Sequence, residues 1–407
     1  MRYGVGVSMG HCTRQGGNRT LMVGKSHDRR SADTTGPLRI VRSSEDFSFA
    51  PSVVWDPAGI PCLPTDRYVI VEEMQHVGMG VVFRAIDRHL CREVAIKLLR
   101  RDRADSAKSV REFETEAHIM SYLSHPGITP IYDRGHSNDG RPFHVMKLIE
   151  GSTLADLLIE RRLPVSRLLG IYASICETIA FAHSRGVVHL DLKPANVMVG
   201  QFGEVNVMDW GLAHCGPPSS GPESGVEVAS VQDRIQGTPA YMSPEQAGGR
   251  MLDARTDVFG LGCILCELLT GVPPYDERDV RRVFKRAVSA ALKPAFKRLG
   301  KCQGDASLVR LAKHCLPRDP NNRPADAVVV AKVVADYHES ALSLAQSDMD
   351  RFFELSLDLF CIADFDGYFR RINANFPRLL GYAEDEILAN PFLHFVHEGD
   401  RSRTIAQ

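Results

Sequence analysis

Long apolar runs, regularly spaced cysteines, a compact apolar leader and a large net charge of either sign are all missing from this 407-residue chain. Without an unbroken apolar run of roughly 18 residues, no membrane span is expected. Without an apolar core and a small-residue cleavage site at the N-terminus, no secretory signal is expected either, and a cytoplasmic location is the default. The formal net charge of −1 supplies no global field for nucleic acid or an anionic membrane, so neither is an expected partner. No internal repeat occurs at solenoid or propeller periods. The ten cysteines follow no disulfide or zinc spacing. The one CxxC, Cys263 and Cys266, lies in an apolar run that reads as a buried helix, where free thiols are ordinary core residues, and no second ligand pair accompanies it.

What is present is the composition of a globular protein, 44% hydrophobic and 24% charged, with length for one large domain plus extras. Residues 1–65 are rich in Gly, Ser, Arg and Asp without periodicity and are expected to be a disordered leader. Gly24-Lys25-Ser26 invites a phosphate-loop reading, but Arg19 stands where the required glycine belongs. From Tyr68 onward, 68–71, 81–85 and 93–99 read as strands, and 112–123 as a helix that stops before His125-Pro126-Gly127. Beyond Glu150-Gly151 the pattern turns helical over 152–161, 165–184, 258–269, 307–315 and 325–337. A small β-rich lobe followed by a larger helical lobe is therefore expected, an α+β fold with its junction at 146–151. The helical pattern continues over 339–355. A hairpin around Asp366-Gly367 and a short helix over 377–380 follow, in a segment too short to bury a domain core alone.

The strongest chemical signal is His189-Leu190-Asp191-Leu192-Lys193-Pro194-Ala195-Asn196, followed by Met208-Asp209-Trp210-Gly211. Phosphoryl transfer needs little covalent help from protein. It needs a carboxylate beside the attacking hydroxyl and metal ions that neutralise charge on the phosphates. Asp191 supplies the first; Asn196 and Asp209 supply oxygen ligands for Mg²⁺. Any one of these residues alone is more often turn chemistry, but the ordered set at this spacing is specific.

Over residues 66–337 the chain resembles a eukaryotic-type Ser/Thr protein kinase of the kind found in bacteria. The resemblance implies the bilobal protein kinase fold, with ATP and Mg²⁺ bound in the cleft. Val94-Ala95-Ile96-Lys97 matches the strand whose lysine meets the nucleotide phosphates, with Glu116 as its expected ion-pair partner. Ser243-Pro244-Glu245, Gly237-Thr238-Pro239, Asp257-Val258-Phe259-Gly260 and Asn322-Arg323-Pro324 match later motifs, and Glu245 is expected to pair with Arg323. By the same matching Lys193 steadies the phosphoryl in transit and shapes the acceptor site with Thr238. Met146 stands behind the adenine pocket with 147–149 as the hinge, and Val82, Ala95 and Met198 sandwich the ring. Met120, Ile131, His189 and Trp210 form a hydrophobic spine.

The chain departs from the pattern in three places, the mildest being Trp210 in place of phenylalanine, a large aromatic that still fills the spine. In the glycine-rich loop the first and second glycines fall on Gln75 and Val77. Only Gly80 keeps its place, with Gly78 nearby as the other candidate phosphate contact, and a Cβ at the lost positions crowds the phosphates. Leu190 replaces the arginine that grips a phosphate on the activation segment, although Ser219, Ser220, Ser224 and Ser230 lie in that segment. Residues 352–401 resemble the first part of a PAS sensor domain, through Asp358-Leu359-Phe360-Cys361-Ile362-Ala363, Gly367-Tyr368-Phe369 and Leu380-Gly381-Tyr382; the strands that close such a sheet do not follow, as in a fragment or a truncated domain. The expected layout is a leader (1–65), a kinase domain (66–340), a linker helix (341–355) and a truncated PAS-like segment (356–407). The expected activity is transfer of the γ-phosphoryl of MgATP to Ser/Thr hydroxyls of protein substrates, with a dimer formed through the linker helix and PAS-like segment. The alternative is a pseudokinase that binds nucleotide or partners without turnover.

Overall fold

The computed structural model describes residues 6–8, 63, 67–161, 163–215, 238–277 and 279–405. Apart from 6–8 and 63, the expected leader lies outside the described residues, as do Ser219, Ser220, Ser224, Ser230 and Gly237. The described residues form two compact units, one within Trp55–His338 and one from Glu339 onward that also includes the strand Gly6–Ser8.

In the first unit Tyr68–Val77, Gly80–Asp87, Arg92–Leu99, Pro142–Lys147 and Ile131–His136 form one antiparallel sheet, neighbours in that order. Successive side chains of a strand turn to opposite faces. Val94, Ile96 and Leu98 accordingly join Val81, Phe83, Ala85, Phe143 and Val145 in one buried cluster. Ala95 and Lys97 turn the other way, paired in register with Met146 and His144. Three strands contain the expected runs. The other two escape the sequence pattern because Ile131–His136 is half polar and Pro142–Lys147 opens on a proline. The helix Ala107–Tyr122 begins earlier than expected, at Ser106, whose hydroxyl accepts the Ser109 N–H at 3.2 Å, a favourable N-cap.

The helical part follows as expected, with Leu154–Glu160, Val165–Ser184, Ala254–Thr270 and Ala306–Cys315 around a large apolar core. Thr153 and Asp156 close a capping box at the start of the first. Val165–Ser184 has the length and mean hydropathy, 1.3, of a membrane span. Its Leu169, Ile171, Tyr172, Ile175 and Ile179 are nevertheless buried in this core, which accounts for its apolar composition. Cys263 and Cys266 are both buried in Ala254–Thr270, and burial pushes the Cys266 thiol up to about 11. Both are core thiols at neutral pH. Val280–Ser289 and Lys293–Leu299 were hidden in a strongly basic stretch, because each buries only two side chains.

One unbroken helix, Ala327–Leu355, covers both helical patterns at 325–337 and 339–355. In the second unit the strands Phe360–Ala363 and Phe369–Ile372 pair antiparallel, and Gly6–Ser8 adds a third strand beside the first. Gly367 takes the turn with φ +86°, as the Asp-Gly signal predicts. Asn375–Leu380 and Glu384–Ala389 cover a small cluster of Cys361, Phe369, Ile372, Phe376 and Ile387.

Candidate active site

Beside the sheet's Lys97 face lies a cleft with about 820 Å³ of space, open mouth included. Val82, Ala95, Met146 and Met198 line it with 147–149, so all the residues expected around a flat ring come together. Gln75, expected beside the phosphates, lines it too, as do Met74, Thr153, Ala195 and Met208, which were not foreseen. Met74 is the extra residue of a bulge, since pairing jumps from Glu73–Phe83 to Gln75–Val82. A bulge adds one residue to one strand, and nothing in an alternating pattern marks where.

Lys97 Nζ donates to both carboxylate oxygens of Glu116, at 2.6 and 2.7 Å, and lies 3.8 Å from Asp209 Oδ1. Burial opposes the charge on Lys97, but Glu116 and Asp209 outweigh it and hold the ammonium above its usual range. Burial, aided by Asp209, holds the Glu116 carboxyl above the ordinary carboxylate range despite Lys97. Gly80 is what lets the lysine pass. A Cβ there would stand 2.9 Å from Lys97 Cγ and 3.0 Å from Cε, closer than carbon atoms pack.

The loop around Asp191 is held from beneath by Asp257. Its carboxylate accepts the backbone N–H groups of His189 at 2.7 Å and Leu190 at 2.8 Å, and pairs with His183 Nε2 at 2.9 Å. Burial alone would raise the Asp257 pKa, but the hydrogen bond and charge of His183 and the His189 donor outweigh it and the net shift is downward. Gln246 Nε2 donates to the Leu190 carbonyl at 2.7 Å, so both backbone polar groups of Leu190 are held by side chains, at φ +68°. The arginine it replaces is not needed for the loop's shape. Both Asp191 oxygens are occupied. Oδ2 accepts from Lys193 Nζ at 2.5 Å and Asn196 Nδ2 at 3.0 Å, and Oδ1 from the Thr238 N–H at 3.2 Å. Lys193 Nζ also donates to Thr238 Oγ1 at 2.8 Å. Thr238, matched only through the acceptor motif, is thereby brought onto Asp191.

Asp209 holds φ +59°, a left-handed backbone that non-glycine residues adopt at a cost and that clusters at functional sites. The hairpin tip lies over it. A Cβ at Gly78 would stand 3.7 Å from Asp209 Oδ2, which leaves no room for a phosphate between the two. The spine residues share one core: Met120 and Trp210 are buried there with Ile131 packed against it, and the His189 and Trp210 rings are 4.6 Å apart. Trp210 satisfies its indole N–H on the Val207 carbonyl at 3.1 Å. Glu245 and Arg323 pair through two bonds of 2.7 and 2.8 Å.

A divalent cation fits the oxygen donors here. Asn196 spends its amide nitrogen on Asp191, with a further bond to the Asp191 carbonyl at 2.8 Å, and its oxygen remains as a donor beside the Asp209 carboxylate in the same cleft. Among the described residues no group of three His, Cys, Asp or Glu side chains could cage a metal. One carboxylate and one amide oxygen, completed by phosphates and water, is a set suited to Mg²⁺.

The family model for the protein kinase domain matches residues 68–335. Among similar proteins, the serine/threonine-protein kinase PknB of Mycobacterium tuberculosis is 35% identical over 64% of this chain and 41% of its own. The serine/threonine-protein kinase PknD of Protochlamydia amoebophila is 35% identical over 57% of this chain and 26% of its own. A probable serine/threonine-protein kinase of Streptomyces coelicolor is 39% identical over 51% of this chain and 31% of its own. The chain spans less than half the length of these curated relatives.

Proposed function

This chain belongs to the protein kinase family, and from that membership we infer that it transfers the γ-phosphoryl of ATP to Ser/Thr hydroxyls of protein substrates in signalling. The observation that carries the reading is the closed Lys97–Glu116 pair, with Asp209 3.8 Å from the same ammonium. The buried ammonium keeps one donor free of Glu116 and sits between two carboxylates in the cleft, placed for anionic phosphate oxygens. Lys97 holds the nucleotide phosphates, and Glu116 holds Lys97. Asp191 accepts the hydroxyl proton of the acceptor, which takes a place on its carboxylate now filled by Lys193 or the Thr238 N–H. Lys193 then turns its charge to the transferring phosphoryl. When bound through Asn196 and Asp209, Mg²⁺ would neutralise charge on the phosphates. Thr238 borders the acceptor hydroxyl and favours Ser/Thr side chains there. Transfer of radiolabel from ATP to a protein acceptor by the purified chain, with Asp191→Asn as control, tests this; equal transfer by both would refute it.

A second reading, a nucleotide-binding pseudokinase, is favoured by one observation, the hairpin tip at Gly78 closed on Asp209. The same assay separates the two. We further propose that the segment 356–407 is a PAS-like sensor module, supported by its hairpin and its buried Cys361, Phe369 and Phe376. Leu342, Met349 and Phe352 are exposed on the helix Ala327–Leu355, at spacings of seven and three residues, which suits pairing with a second copy. A cytoplasmic location accords with this reading.

A further inference from the structure

Five of the chain's twelve methionines line the cleft beside Lys97: Met74, Met120, Met146, Met198 and Met208. A thioether packs well against a flat ring, but it is also readily oxidised to a polar sulfoxide. The five are not equally open to that chemistry. Met120 and Met146 are 3% and 5% exposed, buried in the core. Met198 and Met208 are half-buried, and the Thr129 hydroxyl donates to Met208 Sδ at 3.1 Å, which occupies a lone pair that an oxidant would need. Met74 is 45% exposed. It is the extra residue of the bulge between the Glu73–Phe83 and Gln75–Val82 pairs, so no residue of the neighbouring strand stands opposite it. The bulge thus leaves a long, flexible thioether open to solvent on the wall of the cleft, in the strand beside the one that carries Val82.

We propose that Met74 is a reversible oxidation site for hydrogen peroxide, and that its sulfoxide weakens the cleft's grip on the adenine ring. The sulfur gives an electron pair to one peroxide oxygen. An S–O bond forms as the O–O bond breaks, and the second oxygen leaves as water with both protons. Sulfur is oxidised by two electrons and the peroxide is reduced by two. The product carries an S=O dipole on a wall whose apolar side chains, Val82, Ala95, Met146 and Met198, offer it no hydrogen-bond donor. In the empty cleft that oxygen stays in water. A base packed on its face buries the oxygen unpaired, and affinity falls. A methionine sulfoxide reductase with a dithiol restores the thioether, the oxygen leaving as water and the dithiol becoming a disulfide. The effect on affinity rests on the nucleotide binding proposed above; the site of oxidation does not.

The test is to treat the purified chain with graded hydrogen peroxide, locate the added oxygen by peptide mass spectrometry, and measure ATP affinity by calorimetry, each chain against its own untreated form. Met251 and Met349, 75% and 63% exposed and not among the cleft residues, serve as internal controls. Met74 should take up oxygen before Met120, Met146, Met198 and Met208, and more slowly when ATP is saturating. The Kd for ATP should rise about tenfold, within the cost of burying an unpaired polar atom, and return after treatment with the reductase. Met74→Leu, treated until Met251 and Met349 are oxidised, should show no such rise. Met74→Gln carries a permanent polar group of similar length and should bind ATP more weakly than Met74→Leu with no oxidant present. Three results overturn the proposal: oxidation of another cleft methionine ahead of Met74, a rise in Kd that persists in Met74→Leu, or equal affinity of Met74→Gln and Met74→Leu. If the untreated chain binds no ATP, the failure belongs to the proposed function, and the order of oxidation still decides the site.

Discussion

Two buried ion pairs hold this kinase domain, and they are built to opposite specifications. Arg323 places all five of its N–H groups: two on Glu245, and one each on the carbonyls of Pro317, Arg255 and Arg318, the last at 3.3 Å. Thr256 adds a bond to Glu245 at 3.2 Å. Nothing is left for a ligand, and the planar fork fixes the geometry. Lys97 is almost as deeply buried, but it spends two of its three donors on Glu116 and points the rest of its charge at an Asp209 oxygen beyond hydrogen-bond reach. A saturated pair clamps the chain; an unsaturated one waits for a partner. The difference between arginine and lysine is here the difference between structure and chemistry.

The largest expected effect lies on the unsaturated side. Asp191→Asn should lower transfer by about 10²–10⁴-fold, the usual worth of a positioned general base, while calorimetric ATP affinity stays near that of the parent. Loss of both together would mean that Asp191 shapes the nucleotide pocket instead of the acceptor site. Next come the two pairs themselves. Arg323→Ala leaves Glu245 charged and buried, and should cost about 3–5 kcal/mol in urea unfolding. Lys97→Met should cost less, because Glu116, already held above the ordinary carboxylate range, can take a proton. Transfer by that variant should still fall by roughly 10²–10³-fold, the worth of one preorganised donor at developing charge. Equal destabilisation by the two substitutions would erase the comparison.

The foregoing contrast was only partly legible in the sequence. The partners were readable, because Lys97, Glu116, Glu245 and Arg323 sit at motif positions. The degree of saturation was not, since three of the five bonds from Arg323 end on backbone carbonyls, which no side-chain pattern encodes. The same holds for the loop around Asp191, where Asp257 and Gln246 act on main-chain atoms. Strands with strong β-branched alternation, such as Arg92–Leu99, were readable. Ile131–His136, half polar with no buried residue, and Pro142–Lys147, which opens on a proline, were not. Lys293–Leu299 buries only Ala295 and Leu299, too narrow a stripe to stand out among lysines and arginines.

Smaller effects sharpen the picture. Glycine at both Gln75 and Val77, the positions where the family's loop carries glycine, should lower the KM for ATP a few-fold, because glycine lets the backbone approach the phosphates more closely. An unchanged or higher KM would show that the hairpin covers the nucleotide in another way. At neutral pH the smallest effect concerns His144, a buried side chain whose ring nitrogens have no hydrogen-bond partner. Its folded pKa, about 3, lies below the roughly 6.5 of an unfolded histidine, so the unfolded chain binds the extra proton. Stability from this residue is whole above about pH 6.5 and drains away as pH falls toward 3. His144→Phe should flatten that part of the stability–pH curve, and a curve parallel to the parent's would contradict a neutral buried imidazole.

The position of Gly78 bears on time as well as space. With its hairpin resting on Asp209, the phosphates of an incoming nucleotide meet a closed door, while the adenine side of the cleft stays open. Association then proceeds in two stages, a fast docking of the base and a slower lifting of the hairpin. The observed rate should level off at high ATP concentration instead of rising in proportion, and the plateau is the opening rate of that two-residue turn.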